Sequence, residues 1–480
     1  MKPNALTGGE TPGLEKGALG VFDIVFMVVA VAAPLGVVAS LQPIAFAYGN
    51  GAGVPGAYLL TMIALFLFAL GYVKIIPHVK NAGAFYAYIT SGLGKELGLA
   101  AAYVSVLSYT ALSASTLSAF GFFGMDTLRS WTGIETPWWL WAIGGAVLVA
   151  ILAHHKITLT AKVLGVLLML EILLLLGLDL AILFSVGGGG YEIGDFAPST
   201  VFGAGLGIAL IYGFSGMIGI ESTAIYQEEA VNRKRTIPLA TFVALFLAGG
   251  FYVLTSWSLS SAVGSGNVQA VAGENPGHFV FGIAATHLGG WSISVFGVLI
   301  LSSTFAAALG LYNNAARYIY ALARDNALPR PLAQTHPKHH SPYVAGYCLA
   351  LFVLTIMVAA ALAGLDPLLN VTPALVGVGS VGLMSLLALT SFAIPVYFMR
   401  RGEIGLAKTA APALGGVIVA SATYQAMVNY SALTGVDDPV VNSLIWILAI
   451  CFAVGILQAV VTRISDADRF ASFGTSRVEK

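Results

Sequence analysis

From Val21 to Thr462 the sequence returns repeatedly to apolar runs of membrane-crossing length, each closed by charge, proline or glycine. A helix needs about 20 mostly apolar residues to cross the hydrocarbon layer of a bilayer. Inside lipid every backbone N–H and C=O has to be paired within the protein, so only helices and closed barrels span it. These runs are too long for barrel strands and lack their two-residue alternation. The chain is therefore expected to be an all-α polytopic membrane protein. Its 9% of charged residues agrees with this, since soluble domains carry roughly 25%.

Reading apolar runs against polar breaks predicts twelve transmembrane helices, at 21–47, 54–77, 97–125, 138–155, 160–186, 202–227, 237–263, 288–322, 342–364, 372–399, 408–430 and 440–462. Residues 1–20 are polar and carry no short apolar core before a cleavage-like site, so the first run is expected to be a true span. With the N-terminus placed inside, all 22 Lys and Arg residues except Arg129 fall on the inner side. That asymmetry is what the positive-inside rule expects, and it puts both termini, 1–20 and 463–480, in the cytoplasm of a multi-pass plasma-membrane protein. A bacterial inner membrane is the expected location.

Several function classes drop out. The net charge of zero offers no bulk attraction to nucleic acid. Cys348 and Cys451 lie far apart in apolar stretches and make a poor disulfide framework. No Walker motif or His-Glu-x-x-His is present, and Gly187 to Gly190 reads as an outer linker. The pairs His154-His155 and His339-His340 sit in loops without further ligands at metal spacing, so neither a metal nor an enzyme activity is expected.

Helix breakers at membrane depth are informative because the backbone groups they free have to meet protein, water or a ligand. In span 1, Ala32-Ala33-Pro34-Leu35-Gly36 places a proline where it cannot continue the helix but suits the first turn of a new one. The amides of Leu35, Gly36 and Val37 would then form an anion-binding helix N-terminus. In span 6, Gly213-Phe214-Ser215-Gly216 is expected to split a helix at 202–212 from another at 217–230. Either site alone could be a kink held by its neighbours. Breaks in the first span and again five spans later are what an inverted five-helix repeat predicts, with substrate held between the halves. Half-helix N-termini favour a carboxylate, while freed carbonyls near Ala32, Tyr212 and Gly213 favour an ammonium or a coupling cation. A zwitterion fits both.

These residues resemble the amino acid, polyamine and organocation (APC) transporter superfamily. The likeness is carried by Gly219-Ile220-Glu221 through Glu228-Glu229 and Asn232-Arg233-Lys234-Arg235-Thr236-Ile237-Pro238, in which the proline usual after the asparagine is absent. Arg317 to Pro329, with His336 and Pro342 after it, is similar to the family's loop following span 8, and Asn81 to Tyr88 to its amphipathic lead-in to span 3. Span 1 departs from the Gly-x-Gly of many relatives. The resemblance implies a LeuT-type fold: two inverted halves, 21–186 and 202–399, with spans 1 and 6 broken, plus peripheral helices at 408–462. It also implies carriage of amino acids, polyamines or related amines by proton or sodium symport or by exchange.

A charge at bilayer mid-depth costs roughly 2.5 to 3.5 kcal/mol, so each intramembrane ionisable residue needs a partner or a role. Glu221 matches the family's Gly-Phe-Glu acid and is expected to gate or to couple protons, with a structural hydrogen bond to span 1 as the alternative. Glu171, in mid-span 5, falls where proton-coupled relatives carry a lysine, which suggests a proton carrier or else a helix-bridging hydrogen bond. Asp179, two turns further out, reads as a mouth-lining or paired residue. Asp23 reads as an interfacial carboxylate or a gate partner for Arg235 or Arg324. Ser302-Ser303-Thr304 in span 8 offers hydroxyls for a sodium site, against the ordinary bonding of such hydroxyls to their own helix. The expected substrate-binding residues are Ala33, Pro34, Leu35, Gly36, Tyr109, Tyr212, Gly213, Phe214, Ser215 and Gly216, with Phe214 as a lid by analogy. The expectation is thus a secondary amino acid transporter driven by protons, for a neutral and fairly apolar amino acid. A polyamine importer or an exchanger shares the fold, and a channel or transporter-like sensor is the reading from another class.

Overall fold

The computed structural model describes residues 17–79, 83–155, 157–434 and 438–474. The stretches 1–16 and 475–480, the Asn81-Ala82 lead-in, Lys80, Lys156 and Asp437 lie outside the described residues. Among the described residues the chain is helical, and the one β-type pairing is an isolated bridge between Leu19 and Ala230. Among the described residues eleven helices are long and apolar enough to cross a membrane: Val21–Tyr48, Gly51–Ile75, Lys95–Thr132, Leu164–Val186, Leu206–Tyr226, Arg233–Val263, Trp291–Arg324, Tyr343–Leu362, Pro367–Met399, Leu406–Val428 and Pro439–Ser465. The shorter apolar helix Trp138–His154 lies where span 4 is expected, and with it these helices are numbered spans 1 to 12 below.

Boundaries shift where a turn residue wins over hydropathy. Span 6 begins at Leu206 rather than 202, after Gly205 in a left-handed conformation (φ 88°). The expected outer loop between spans 7 and 8 contains two short helices, Val268–Glu274 and Phe279–Leu288. The second is anchored by Phe279 against Phe46 of span 1, ring centroids 5.9 Å apart, and buries Val280, Ile283 and Ala284. The lead-in to span 3 is a separate helix, Ala84–Leu93, ended by Gly94 at φ 113°.

Span 3 is the central post, packed against spans 8, 10, 4 and 12. It buries Ala100, Ala101, Ala102, Ser105, Ser108 and Ser113, and Gly379 and Gly382 of span 10 lie against Leu112 and Ser108. Small residues let membrane helices approach closely where no hydrophobic force drives them together. Span 1 packs on spans 5, 7 and 8, and span 12 is the least buried within the protein.

Both expected breaks occur, in altered form. Span 1 is helical from Val21 to Ala32, turns at Ala33 (φ 47°, ψ 70°), and restarts with Pro34 in the first turn. A π-helical stretch, Val37–Leu41, follows before the helix Gln42–Tyr48. Val37 is not a free amide: it donates to the Ala33 carbonyl at 2.9 Å. In span 6 the helix continues through Gly213, Phe214, Ser215 and Gly216 and breaks only at Met217–Gly219, after which Ile220–Tyr226 is a 3-10 helix. The expected break at Gly213–Gly216 is therefore displaced to Met217–Gly219. The reason is packing: Gly213 and Gly216 bring span 6 against Thr61 and Val37, while Gly219 alone holds a positive φ, 118°.

Candidate functional site

The two breaks face each other. Gly216 lies against Val37, just past the span 1 break, and Gly219 lies against Val28 and Val31, just before it. A Cβ on Gly219 would sit 2.8 Å from Val31 Cγ1 and 3.0 Å from the Val28 carbonyl oxygen, so this crossing admits no side chain.

At the span 1 break the restarted helix presents its first amides, and a carboxylate of the protein itself meets them. Leu35 N–H donates to Glu171 Oε2 at 3.2 Å, and Ser303 Oγ donates to the same oxygen at 2.8 Å. Glu171 is 1% exposed, so span 5 bridges spans 1 and 8 at the break. Gly36 is the neighbour of Ser303 across this contact. An anion at a helix N-terminus is stabilised both by the unpaired amides and by the helix dipole.

The span 6 break repeats the arrangement. Gly219 N–H donates to Glu221 Oε2 at 2.9 Å, Tyr109 Oη donates to Glu221 Oε1 at 2.8 Å, and Tyr72 Oη donates to the Glu221 carbonyl. Tyr109 stacks on Tyr318, centroids 5.6 Å apart, and the Tyr318 hydroxyl accepts from Phe85 N–H. Glu221 is thus tied to span 3 and to its own helix start, rather than to span 1. Each break therefore carries one buried carboxylate at the start of its second half.

The other expected residues separate into groups. Pro34, Tyr212 and Phe214 are buried beside the breaks, and Ser215 Oγ is buried without a hydrogen-bond partner in the protein. Of the three hydroxyls of the sodium reading, Ser302 and Thr304 donate to carbonyls of their own helix, at Leu299 and Ile300, and Ser303 turns to Glu171. The hydroxyls therefore do not converge. Asp23 does not pair with Arg235 or Arg324; it accepts from Gly20 N–H at 2.8 Å and so caps span 1. Among the described residues no three His, Cys, Asp or Glu side chains are grouped to hold a metal ion.

One constellation was not legible in advance. Arg317 forms a two-bond ion pair with Glu229, Nε to Oε2 3.0 Å and Nη2 to Oε1 3.1 Å, with the two side chains 3% and 2% exposed. Two helical turns on, Arg324 pairs with Glu228 in the same two-bond manner at 2.9 and 2.8 Å. Tyr226 and Tyr320 lie under the two guanidiniums, 5.1 and 5.4 Å from their centroids. The Glu229 carbonyl also accepts from Ala18 and Leu19 N–H, and Val231 N–H donates to the Leu19 carbonyl. The segment before span 1 and the segment after span 6 are thus sewn together and clamped to span 8. The seven-residue spacing of Arg317 and Arg324, which puts both on one helix face, was the available signal.

A family profile for amino acid permeases matches residues 19–465, which includes both breaks and all twelve spans. The branched-chain amino acid permease BcaP of Bacillus subtilis (strain 168) is 24% identical over 359 residues, covering 71% of this chain and 74% of the relative. The low-affinity putrescine importer PlaP of Escherichia coli (strain K12) is 21% identical over 302 residues, 60% of this chain and 63% of the relative. Human cationic amino acid transporter 4 is 30% identical over 168 residues, 35% of this chain and 25% of the relative. These matches carry a transport function and no enzyme activity. With an all-helical chain broken in spans 1 and 6, and a profile match over nearly its whole length, the protein belongs to the amino acid permease family of the APC superfamily, whose fold is LeuT-type.

Proposed function

We propose that this permease imports a neutral, largely apolar amino acid across the plasma membrane by alternating access, using the proton gradient, with Glu171 as the coupling carboxylate. The observation that carries the reading is the contact of Glu171 Oε2 with both Leu35 N–H and Ser303 Oγ. The ionised carboxylate occupies the helix N-terminus that a substrate carboxylate would need. Protonating Glu171 weakens its hold on the Leu35 amide, and the substrate carboxylate takes the amide in its place. Proton and substrate therefore favour each other, which is thermodynamic linkage between two sites. The substrate ammonium faces carbonyls at the two breaks, in competition with Tyr252 Oη at the Ala32 carbonyl, Ser215 Oγ supplies a further polar contact, and Phe214 closes over the ligand. Halves 21–186 and 202–399 move past one another around this point.

The termini lie in the cytoplasm, an orientation supported by the distribution of Lys and Arg. The dispersal of the Ser302, Ser303 and Thr304 hydroxyls favours protons over sodium. A branched-chain amino acid fits the apolar surroundings of Val31, Val37 and Phe214 better than a diamine, since both nearby carboxylates, Glu171 and Glu221, are already held by amides and hydroxyls of the protein. The putrescine importer among the relatives keeps the amine reading as the alternative to test.

The test is uptake into proteoliposomes under imposed pH or sodium gradients, over a panel of amino acids and amines. Saturable, competed uptake with counterflow is expected, driven by an inward proton gradient. Glu171→Gln should abolish the gradient dependence while leaving counterflow. Unchanged pH-driven accumulation in Glu171→Gln removes the proton assignment, and unsaturable flux without counterflow removes the carrier reading in favour of a channel.

A further inference from the structure

Span 5 carries a second buried carboxylate that the coupling scheme above leaves unused. Asp179 lies eight residues beyond Glu171, about 12 Å along the helix axis at 1.5 Å per residue. It sits on the buried stripe with Leu175, Leu178 and Ile182 and is 4% exposed. Oδ2 accepts from Thr255 Oγ1 of span 7 at 2.9 Å, the Ser258 hydroxyl of the same helix also faces the carboxylate, and Oδ1 is buried with no hydrogen bond of good geometry. A purely structural partner for Thr255 has no need of a charge, and a buried polar atom left unpaired is costly. A carboxylate retained with an open oxygen at this depth calls for a functional explanation.

Its surroundings extend in both directions. Span 7 places Tyr252, Thr255 and Ser258 three residues apart, hence on one side of the helix, and span 7 packs on span 5. Toward the termini's face, Tyr252 Oη donates to the Ala32 carbonyl at 3.1 Å, next to the break that Glu171 caps. Toward the opposite face, Tyr191 Oη donates to Ser258 Oγ at 3.1 Å. Two residues further along span 7, Ser260 Oγ donates to Asp195 Oδ2 at 2.9 Å. Asp195 lies in the loop after span 5, where burial pushes its carboxyl above the ordinary aspartate range, opposed by the Ser265 and Ser260 hydroxyls. The titratable side chains on the elements around this outer half of span 5 are Tyr191, Glu192 and Asp195 of the loop, Tyr252 of span 7 and His287 of the helix Phe279–Leu288.

We propose that Asp179 is a proton relay, a second protonatable carboxylate that passes protons from the outer mouth at Asp195 to Glu171 along the interface of spans 5 and 7. The inference rests on Glu171 as the coupling group and on a cytoplasmic N-terminus. In the transfer, the O–H bond of the Asp179 carboxylic acid breaks as one forms on the Glu171 carboxylate, with water and the Tyr252 hydroxyl bridging the gap. The total charge of the pair is unchanged, and Asp179 is then reprotonated from the mouth. Splitting the path shortens the stretch that water has to bridge and returns the proton to a carboxylate after each step.

The experiment uses the full chain in proteoliposomes with an internal pH dye and radiolabelled leucine, or whichever panel amino acid the wild type accumulates. Asp179→Asn is expected to slow gradient-driven accumulation and the matching proton influx on the order of a hundredfold, the lower end of what a positioned proton-transfer group contributes. Counterflow at equal pH on both sides should continue, and Asp179→Glu should restore the driven rate. Thr255→Val, which keeps the carboxylate, should displace the pH profile of uptake without abolishing it. If Asp179→Asn accumulates substrate like the wild type while Glu171→Gln does not, the relay is wrong and the coupling assignment survives. If Glu171→Gln also keeps its gradient dependence, both fall. Loss of counterflow in both Asp179→Asn and Asp179→Glu would mark Asp179 as structural, and sodium-driven uptake lost in Asp179→Asn would mark it as a cation ligand; either overturns the relay.

Discussion

Removing the charge of Glu229 tests whether the ion pairs between span 8 and the segment after span 6 hold one face of the carrier shut. In Glu229→Gln the two bonds from Arg317, now at 3.0 and 3.1 Å, lose their anionic partner, and the guanidinium stays buried over Tyr226. Both side chains are almost fully excluded from solvent, so solvent screening does not soften the loss. Stranding one member of a buried pair costs about 3 to 5 kcal/mol. If the pair exists only in the closed form, the closed-to-open equilibrium shifts by a factor of roughly a hundred to several thousand, at 1.4 kcal/mol per tenfold. The Arg324–Glu228 pair and the backbone bonds from Ala18 and Leu19 remain, which sets the lower end as the expectation. The assay is labelling of a cysteine at buried Gln227 by a membrane-impermeant maleimide, in a background of Cys348→Ala and Cys451→Ala. Labelling from the termini's face should accelerate strongly in Glu229→Gln, while Arg317→Met with Glu229→Gln, which removes both charges, should recover part of the closure. If labelling is unchanged, or the double variant shows no coupling between the two changes, the pair does not act as a latch.

Further outcomes follow from the two breaks. Gly219→Ala forces an alanine into φ 118° and sets its Cβ 2.8 Å from Val31, for a loss of roughly 2 to 5 kcal/mol from strain and overpacking together; melting of the detergent-solubilised protein should fall well below wild type, and an unchanged midpoint would count against the crossing. Tyr109→Phe removes one neutral donor from Glu221 and should weaken substrate binding or turnover several-fold with little loss of fold, as read by KM and kcat separately. Substrate affinity should rise as pH falls, because the protonated Glu171 releases the Leu35 amide, and Glu171→Gln should flatten that dependence; affinity independent of pH in the wild type contradicts the competition. Ser302→Ala with Thr304→Ala should leave transport insensitive to sodium and nearly unchanged, since both hydroxyls serve their own helix; a selective loss of activity restored by sodium would revive a cation site.

By itself the sequence determined the membrane class, the twelve-span order and the presence of interruptions in spans 1 and 6. These are local matters: bilayer thickness sets the length of an apolar run, and proline at position 34 acts on its own turn. It also carried the family likeness, through Glu221, Glu228-Glu229 and the Arg317 to Pro329 segment. Tertiary structure decided which glycines break a helix and which only admit a neighbour, because Gly213 and Gly216 differ from Gly219 in what they touch rather than in chemistry. It also decided the pairings of charge. Glu171 meets Leu35 across 136 residues and Ser303 across 132, and Glu229 meets Arg317 across 88, separations at which no periodicity speaks. Asp23 and the Ser302 and Thr304 hydroxyls found nearer partners in their own helices, where the loss of chain entropy on pairing is smallest. A buried charge takes whatever partner the packed helices bring within reach, and only the packing says which one that is.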